Sequence, residues 1–142
     1  MYRFLDQLDQ EETGEEPRPE GSTFAQSNFA EDRAWCKRQL ARFRIDDGDW
    51  EKAIEINTEI LNHTSFSGTR TRSRALGDLG FANYMLGNMR FSESYLEEAI
   101  STTEYLISKS TETKTDSDLS SDLSRYYRHV ALLHQKLSLI HI

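Results

Sequence analysis

Residues 76–99 read LGDLGFANYMLGNMRFSESYLEEA, and they are the most informative stretch for the architecture. Apolar residues recur every three or four positions on both sides of Gly87-Asn88, which is the spacing of an amphipathic helix and not of a strand. A glycine followed by an asparagine is typical of a helix end and a tight turn. The stretch therefore predicts two helices, about 70–86 and 89–109, joined by a short turn.

A second helix pair of the same design is predicted upstream. Its first helix starts near Asn28 and ends before Gly48, and its second helix covers about 49–63. The apolar positions of the first helix are Trp35, Cys36, Leu40, Phe43 and Ile45. The turn glycines Gly48 and Gly87 lie 39 residues apart. A two-helix unit of this length is typical of an α-solenoid, in which neighbouring units cover each other's apolar faces.

The repeat resembles the tetratricopeptide repeat (TPR), in particular the longer-repeat members of that family. The matching residues are Leu76, Leu79, Gly80, Ser92, Leu96 and Ala99 in the second pair and Leu40, Ala41 and Ala53 in the first. Small residues suit the close crossings that we expect, of Ala41 on Ala53 and of Gly80 on Ser92. The resemblance implies an all-α, TPR-like α-solenoid of antiparallel helix pairs, with two pairs and the first helix of a third.

The N-terminal part of the chain differs in composition from the rest. Residues 1–20 hold seven acidic side chains against two basic ones, and they account for −5 of the net charge of −7. Both prolines also lie there. Because so few apolar residues cannot offset the entropy of ordering, we expect residues 1–27 to be a disordered acidic tail and residues 28–136 to form the helical repeats.

The C-terminal part begins with a polar stretch at 110–121, which is rich in serine and threonine and predicts a loop. A further helix follows, in which the family's signature positions are Tyr127, Val130, Ala131 and His134.

The last six residues, 137–142, read LSLIHI. This is the translation of the DNA sequence CTG TCT CTT ATA CAC ATC, which resembles an adaptor used in preparing sequencing libraries. We therefore expect residues 137–142 to be non-native and the protein to continue with further repeats.

Composition argues against several classes of protein. The mean hydropathy of −0.70 and the absence of a long apolar run exclude a membrane span, and the acidic balance argues against nucleic-acid binding. A single cysteine cannot form an internal disulfide, so a cytoplasmic protein is expected.

The sequence also offers no pattern typical of an enzyme. His129 and His134 lie five residues apart, which is about 140° around a helix and unsuited to one metal ion. Cys36 has no histidine nearby in sequence, and Gly77 and Gly80 follow no strand that could introduce a phosphate loop. We expect no catalytic site, no metal and no cofactor.

The concave face, which the resemblance assigns to the first helix of each repeat, is the candidate site. Its candidate peptide-binding residues are Trp35, Arg38, Arg42, Arg74, Phe81, Tyr84, Arg125 and Arg128. Arginine pairs bidentately with carboxylates or phosphates, and aromatic side chains supply anchoring area. We therefore expect a protein-interaction scaffold whose partner is an acidic or phosphorylated peptide. Asp78 argues against the family's clamp for a C-terminal carboxylate.

Two alternatives stay open. In the first, the repeats are a regulatory region of a larger enzyme or effector protein. In the second, they are a self-associating unit without a peptide partner.

The charge distribution leads to a separate hypothesis about regulation. Residues 6–20 are tethered to the helices at an effective concentration near millimolar, so we expect this acidic segment to compete in cis for the arginine-lined face.

Overall fold

The computed structural model describes residues 22–63, 69–111 and 113–140. The regular elements of these ranges are the helices α1 (Ser22–Asp46), α2 (Trp50–Leu61), α3 (Arg70–Leu86), α4 (Met89–Lys109) and α5 (Thr113–Ile140). Within these ranges, the prediction of an all-α fold is confirmed. The bounds of α3 and α4 agree with those expected from the sequence.

The first helix is longer than the sequence predicts. It begins at Ser22, six residues before Asn28, so residues 22–27 belong to a helix and not to the predicted tail. These residues contain neither proline nor glycine, and the helix-start signal at Asn28 is only a modest preference that a helix can override. Residues 1–21, the remainder of the predicted tail, lie outside the described residues.

The predicted loop at 110–121 is wrong, because α5 already begins at Thr113. Serine and threonine are poor helix formers, but helices in proteins are stabilised mainly by packing of one face. Leu119 is buried on that face, and Asp122 is buried one turn further on. Local composition therefore gave the wrong prediction where tertiary contacts decide the structure. Residues 137–140 continue this helix, whereas 141–142 lie outside the described residues.

The turn between α3 and α4 follows from Gly87, whose φ of 84° lies in the left-handed region that favours glycine. Its N–H donates to the carbonyl of Tyr84 at 3.1 Å, and the N–H of Asn88 donates to the carbonyl of Asn83 at 2.8 Å. These two bonds satisfy carbonyls that the end of α3 would otherwise leave unpaired. The chain then reverses within two residues and starts α4 at Met89.

Helix α3 is the central element of the fold. Each helix packs on the next one along the chain, and α3 also contacts α1 and α5. The largest buried apolar cluster joins α3, α4 and α5 through Leu76, Leu96, Ala99, Tyr126 and Leu133. Smaller clusters join α1 to α2 through Leu40, Ala41 and Ile56, and α1, α2 and α3 through Ala34, Ile60 and Ala75. Side chains of α1, α3 and α5 can therefore meet along one surface.

The close crossing of α3 and α4 at Gly80 and Ser92 is confirmed. The Ser92 hydroxyl donates a buried hydrogen bond to the Gly80 carbonyl at 2.7 Å. A Cβ atom at position 80 would lie only 2.6 Å from Cγ of Leu96. In the first pair, Ala41 and Ala53 are both fully buried, as small residues at a close crossing should be.

Candidate functional site

The first part of the site joins α1 to α3 through a buried carboxylate. Oδ2 of Asp78 lies 3.5 Å from Nη2 of Arg38, and Oδ1 lies 3.8 Å from Nη1 of Arg42. Arg38 and Arg42 are one turn apart on α1, so both guanidinium groups reach the same residue of α3. Asp78 and Arg38 are almost completely buried, whereas the Arg42 side chain is half-buried.

The second part joins α3 to α5 through Asp122. Nε of Arg70 donates to Oδ2 of Asp122 at 2.9 Å, and Nη2 donates to Oδ1 at 3.3 Å. Arg74 Nε lies 4.0 Å from the same carboxylate, and Arg125 Nη2 lies 3.5 Å from it. Arg70 also lies 3.8 Å from the carboxylate of Asp118. We call Arg38, Arg42, Arg70, Arg74 and Arg125 the arginine cluster.

Tyr126 lies between the two parts. Its ring packs on the bare backbone of Gly77 in α3, and the guanidinium of Arg125 lies 5.4 Å from the ring centroid. Burial raises the pKa of the Tyr126 hydroxyl, and the charges of Asp122 and Asp78 raise it further. The hydroxyl therefore stays protonated and remains a hydrogen-bond donor at neutral pH.

An aromatic group, made of Trp50, Phe81, Tyr84 and His129, extends from the arginine cluster. The Phe81 ring stacks on His129 with centroids 4.8 Å apart and on Tyr84 at 6.5 Å, and it meets the edge of Trp50 at 5.8 Å. Phe81 lies one turn after Asp78 on α3, and His129 lies one turn after Arg125 on α5. Charged and aromatic side chains are therefore adjacent on the same surface.

His129 is neutral at physiological pH. Burial lowers its pKa to about 4, and the positive charges of Arg125 and Arg128 act in the same direction. Its imidazole therefore behaves as an aromatic packing partner of Phe81 and adds no charge to the arginine cluster.

The structure brings together six of the eight residues that the sequence places at the site. Arg38, Arg42, Arg74 and Arg125 belong to the arginine cluster, and Phe81 and Tyr84 belong to the aromatic group. Trp35 is 59% exposed, and none of the ion pairs and ring contacts described above includes it. Arg128 is exposed on α5 near His129.

Two predictions about α1 need correction. Arg38 is only 2% exposed, so it is not open to a peptide, contrary to its predicted place on the binding surface. Phe43 is exposed although its spacing predicts a packed position. Both differences arise because α1 packs through Ala34, Leu40 and Ala41, a face that also includes Arg38. The buried charge of Arg38 is compensated by Asp78, which a hydrophobic pattern cannot indicate.

Sequence reasoning missed several members of the site: Trp50, Arg70, Asp118, Asp122 and Tyr126. A signal for some of them was present, because Arg70, Arg74 and Asp78 are spaced four residues apart and Asp122 precedes Arg125 by three. Such spacings place side chains on one helix face. The predicted loop at 110–121 obscured this face of α5.

Outside the arginine cluster and the aromatic group, the part of the chain that the structure describes offers few groups for catalysis or metal binding. Cys36 packs beside the small cluster of Leu40, Ala41 and Ile56, and burial followed by the charge of Asp32 raises its thiol pKa. No group of three or more His, Cys, Asp or Glu side chains within the described ranges is arranged to hold a metal ion. None of the described helices has the length and apolar character needed to cross a membrane.

Comparison of the chain with protein-family models, with curated proteins and with solved structures finds no match.

Proposed function

We propose that this chain is part of a TPR-like α-solenoid that acts as a protein-interaction scaffold and binds an acidic peptide on the surface shared by α1, α3 and α5. The observation that carries the proposal is the convergence of five arginines from these three helices at one place. Binding through such a surface requires a rigid scaffold and no chemical step. The proposed activity is therefore recognition without catalysis.

The helix contacts support the solenoid arrangement. In a solenoid of helix pairs, each first helix contacts its own second helix and also the first helices of the neighbouring repeats. Helix α3 has these contacts, since it touches α2 and α4 along the chain and α1 and α5 across the fold. The small residues at the α3–α4 crossing agree with the same arrangement.

The exposed parts of the site suit an acidic segment that also carries an apolar side chain. Arg42, Arg74 and Arg125 are partly open to solvent, and each offers guanidinium donors for carboxylates. The neighbouring Phe81 and Tyr84 are half-buried, and aromatic side chains of this kind are common anchors in peptide recognition. Charge complementarity would set the orientation of the peptide, and the aromatic group would hold its apolar side chain.

A binding experiment with a labelled peptide tests the proposal. The peptide contains four glutamates and one central leucine, and its affinity for the full chain is measured by fluorescence anisotropy at low and at high salt. We expect binding that weakens with salt, because exposed charges are screened. The double variant Arg42→Glu, Arg74→Glu should weaken binding by at least about tenfold, which corresponds to about 1.4 kcal/mol.

The matched control is the double variant Arg90→Glu, Lys109→Glu, which makes the same change of −4 in net charge on the exposed surface of α4. This variant should bind the peptide with nearly the affinity of the unmodified chain. Equal losses in the control and in the Arg42→Glu, Arg74→Glu variant would show that only net charge matters. No binding by the unmodified chain at low salt would contradict the proposed function.

A further inference from the structure

The arginine cluster contains buried donors whose hydrogen bonds are unfilled. Nε and Nη2 of Arg38, Nε of Arg74 and Nη2 of Arg125 are buried and make no hydrogen bond within the described residues. Buried donors in folded proteins almost always have an acceptor, so each exception calls for an explanation. These three arginines come from three different helices, α1, α3 and α5. The carboxylate of Asp78 does not fill them, because its Oδ2 atom lies 3.5 Å from Nη2 of Arg38 and is itself buried without a hydrogen bond. The internal carboxylates therefore leave the cluster incompletely paired.

The charges of the same cluster do not balance. Five guanidinium groups face the three carboxylates of Asp78, Asp118 and Asp122, which leaves a formal surplus of two positive charges. Arg70 alone is hydrogen-bonded to a carboxylate in the cluster, whereas the other ion pairs are 3.5 to 4.0 Å long. A surplus of like charge in a partly buried site is unfavourable unless an anion joins it.

The pKa values of Arg38 and Arg74 are lowered, whereas that of Arg70 is raised by its hydrogen bond to Asp122. Burial lowers the pKa of Arg38, Asp78 opposes that shift, and the nearby charge of Arg74 lowers the pKa further. Burial likewise lowers the pKa of Arg74, where Asp122 opposes the shift and the charges of Arg70 and Arg125 add to it. The cations therefore repel each other across the helices.

Two of the three carboxylates are less accessible to an anion from solvent than the arginines are, whereas the third, Asp118 beside Arg70, is 50% exposed. The side chains of Arg42, Arg70, Arg74 and Arg125 are 25 to 41% exposed, whereas those of Asp78 and Asp122 are 8% and 5% exposed. The anion would contact the exposed arginines directly. Arg38 lies behind them and contributes positive charge from the interior.

The geometry distinguishes a phosphate from a carboxylate. A single carboxylate has two oxygens in one plane and one negative charge, so it would leave one of the two surplus positive charges uncompensated. A phosphate monoester has three strong acceptor oxygens in a tetrahedral arrangement and a charge close to −2 at neutral pH. Arginine is also the side chain best suited to phosphate, because its planar fork donates two parallel hydrogen bonds.

On this basis we infer that the arginine cluster is a phosphate-binding site, and that the peptide ligand presents a phosphoserine or phosphothreonine there. The inference rests on the proposed function, because it names the chemistry of the peptide that the surface binds. The phosphate would lie against Arg42, Arg74 and Arg125. A side chain next to it along the peptide would reach the aromatic group, which lies about one helical turn, or 5.4 Å, after Arg125 on α5 and about two turns after Arg74 on α3.

The test compares three peptides that differ at one position. The probe is a labelled hexapeptide with a central phosphoserine followed by leucine, and its partners carry serine or glutamate in place of phosphoserine. We expect the full chain to bind the phosphoserine peptide at least about tenfold more tightly than either partner, a difference of about 1.4 kcal/mol. Inorganic phosphate in excess should displace it. Binding that persists in excess phosphate would contradict the inference.

The pH dependence of the affinity distinguishes a bound phosphate dianion from a bound carboxylate. The second pKa of a phosphate monoester is about 6, so raising the pH from about 5.5 to about 7.5 should tighten phosphoserine binding by up to about fourfold. The groups facing the site are Asp78, Asp118, Asp122, Tyr126 and His129. His129 stays neutral over this range because its pKa is about 4. The glutamate peptide is ionised at both pH values and should show little change.

Charge-removing variants locate the site. Arg74→Gln and Arg125→Gln should each weaken phosphoserine binding by at least about tenfold. If either variant fails to fold, as circular dichroism would show, Arg42→Gln keeps the test valid because Arg42 is the most exposed of these arginines and makes only a 3.8 Å ion pair. Arg90→Gln on α4 is the matched control and should leave the affinity unchanged.

The outcomes distinguish the two proposals. Equal affinity for the phosphoserine and glutamate peptides would overturn the phosphate site while leaving the acidic-peptide proposal intact. Phosphoserine binding that is unaffected by Arg42→Gln and by Arg74→Gln would also overturn it. Failure of all three peptides to bind at low salt would overturn both proposals.

Discussion

Tyr126 of α5 lies directly on the backbone of Gly77 of α3, so that a Cβ atom at position 77 would come within 2.8 Å of three ring carbons. This contact sets how closely α5 approaches α3. Because Asp122 lies one turn before Tyr126, the same approach brings its carboxylate to Arg70 and Arg74. The arginine cluster therefore depends on the absence of a side chain at Gly77.

Adding one methyl group at Gly77 should lower the stability of the protein. Gly77→Ala forces the Tyr126 ring to move, and overpacking of this kind costs about 1–3 kcal/mol. That loss should exceed the gain of about 1 kcal/mol that alanine brings to a helix interior. Urea unfolding measures the difference. In a Tyr126→Leu background the same change should cost less, and a Gly77→Ala protein more stable than the unmodified one would contradict the contact.

Gly80→Leu should disrupt the crossing of α3 and α4. The Cβ position at residue 80 already lies 2.6 Å from Cγ and 2.7 Å from Cδ2 of Leu96, which is fully buried. A leucine there has no space, so we expect a loss of about 3 kcal/mol or more and a lower melting temperature. Met85→Leu changes an exposed apolar residue of the same helix and serves as the control. Equal melting temperatures for Gly80→Leu and this control would disprove the close crossing.

Acidification should destabilise the fold through His129. Its pKa falls from the ordinary 6.5 to about 4 on folding, so between these values the unfolded chain binds a proton that the folded chain does not. Stability is therefore lost as the pH falls from 6.5 towards 4. We expect His129→Gln to show a smaller loss of stability between neutral pH and about pH 5 than the unmodified protein. Parallel stability profiles for the two proteins would rule out this contribution.

The order of helices and turns could be predicted from the sequence because turn glycines and the spacing of apolar residues are local signals. Gly48 and Gly87 both take up left-handed backbone conformations at the predicted turns. The start of α5 could not be predicted in the same way. Its serine- and threonine-rich first turns are helical because the helix buries Leu119 and pairs Asp122 with Arg70 of α3, which lies 52 residues away in sequence.

The candidate site was predictable only in part, for a related reason. Four of its arginines share helical spacing, but their relation to Asp78 and Asp122 depends on how α1, α3 and α5 pack. Arg38 illustrates the limit, because a charged side chain at such a position is normally assigned to the surface. Its burial follows from the ion pair with Asp78, which spans 40 residues of sequence.

Removal of the acidic N-terminal segment should strengthen ligand binding. Deleting residues 6–20 removes a tethered competitor for the arginine cluster, so we expect acidic and phosphorylated peptides to bind severalfold more tightly at low salt. The gain should shrink at high salt because the competing charges are screened. The matched control keeps the length of the segment and replaces Glu11, Glu12, Glu15 and Glu16 by glutamine. Identical affinities for the deleted and complete chains would discard the competition hypothesis.

The most direct measurement of the central claim is a map of where the peptide binds. Two-dimensional NMR of the isotope-labelled chain, titrated with the glutamate peptide and then with the phosphoserine peptide, reports on each backbone amide. We predict that the largest shift changes cluster around Arg42, Arg74, Phe81 and Arg125, with little change around Arg90 of α4. Shift changes centred on α2 and α4, or none at saturating peptide, would contradict the claim that α1, α3 and α5 form the binding surface.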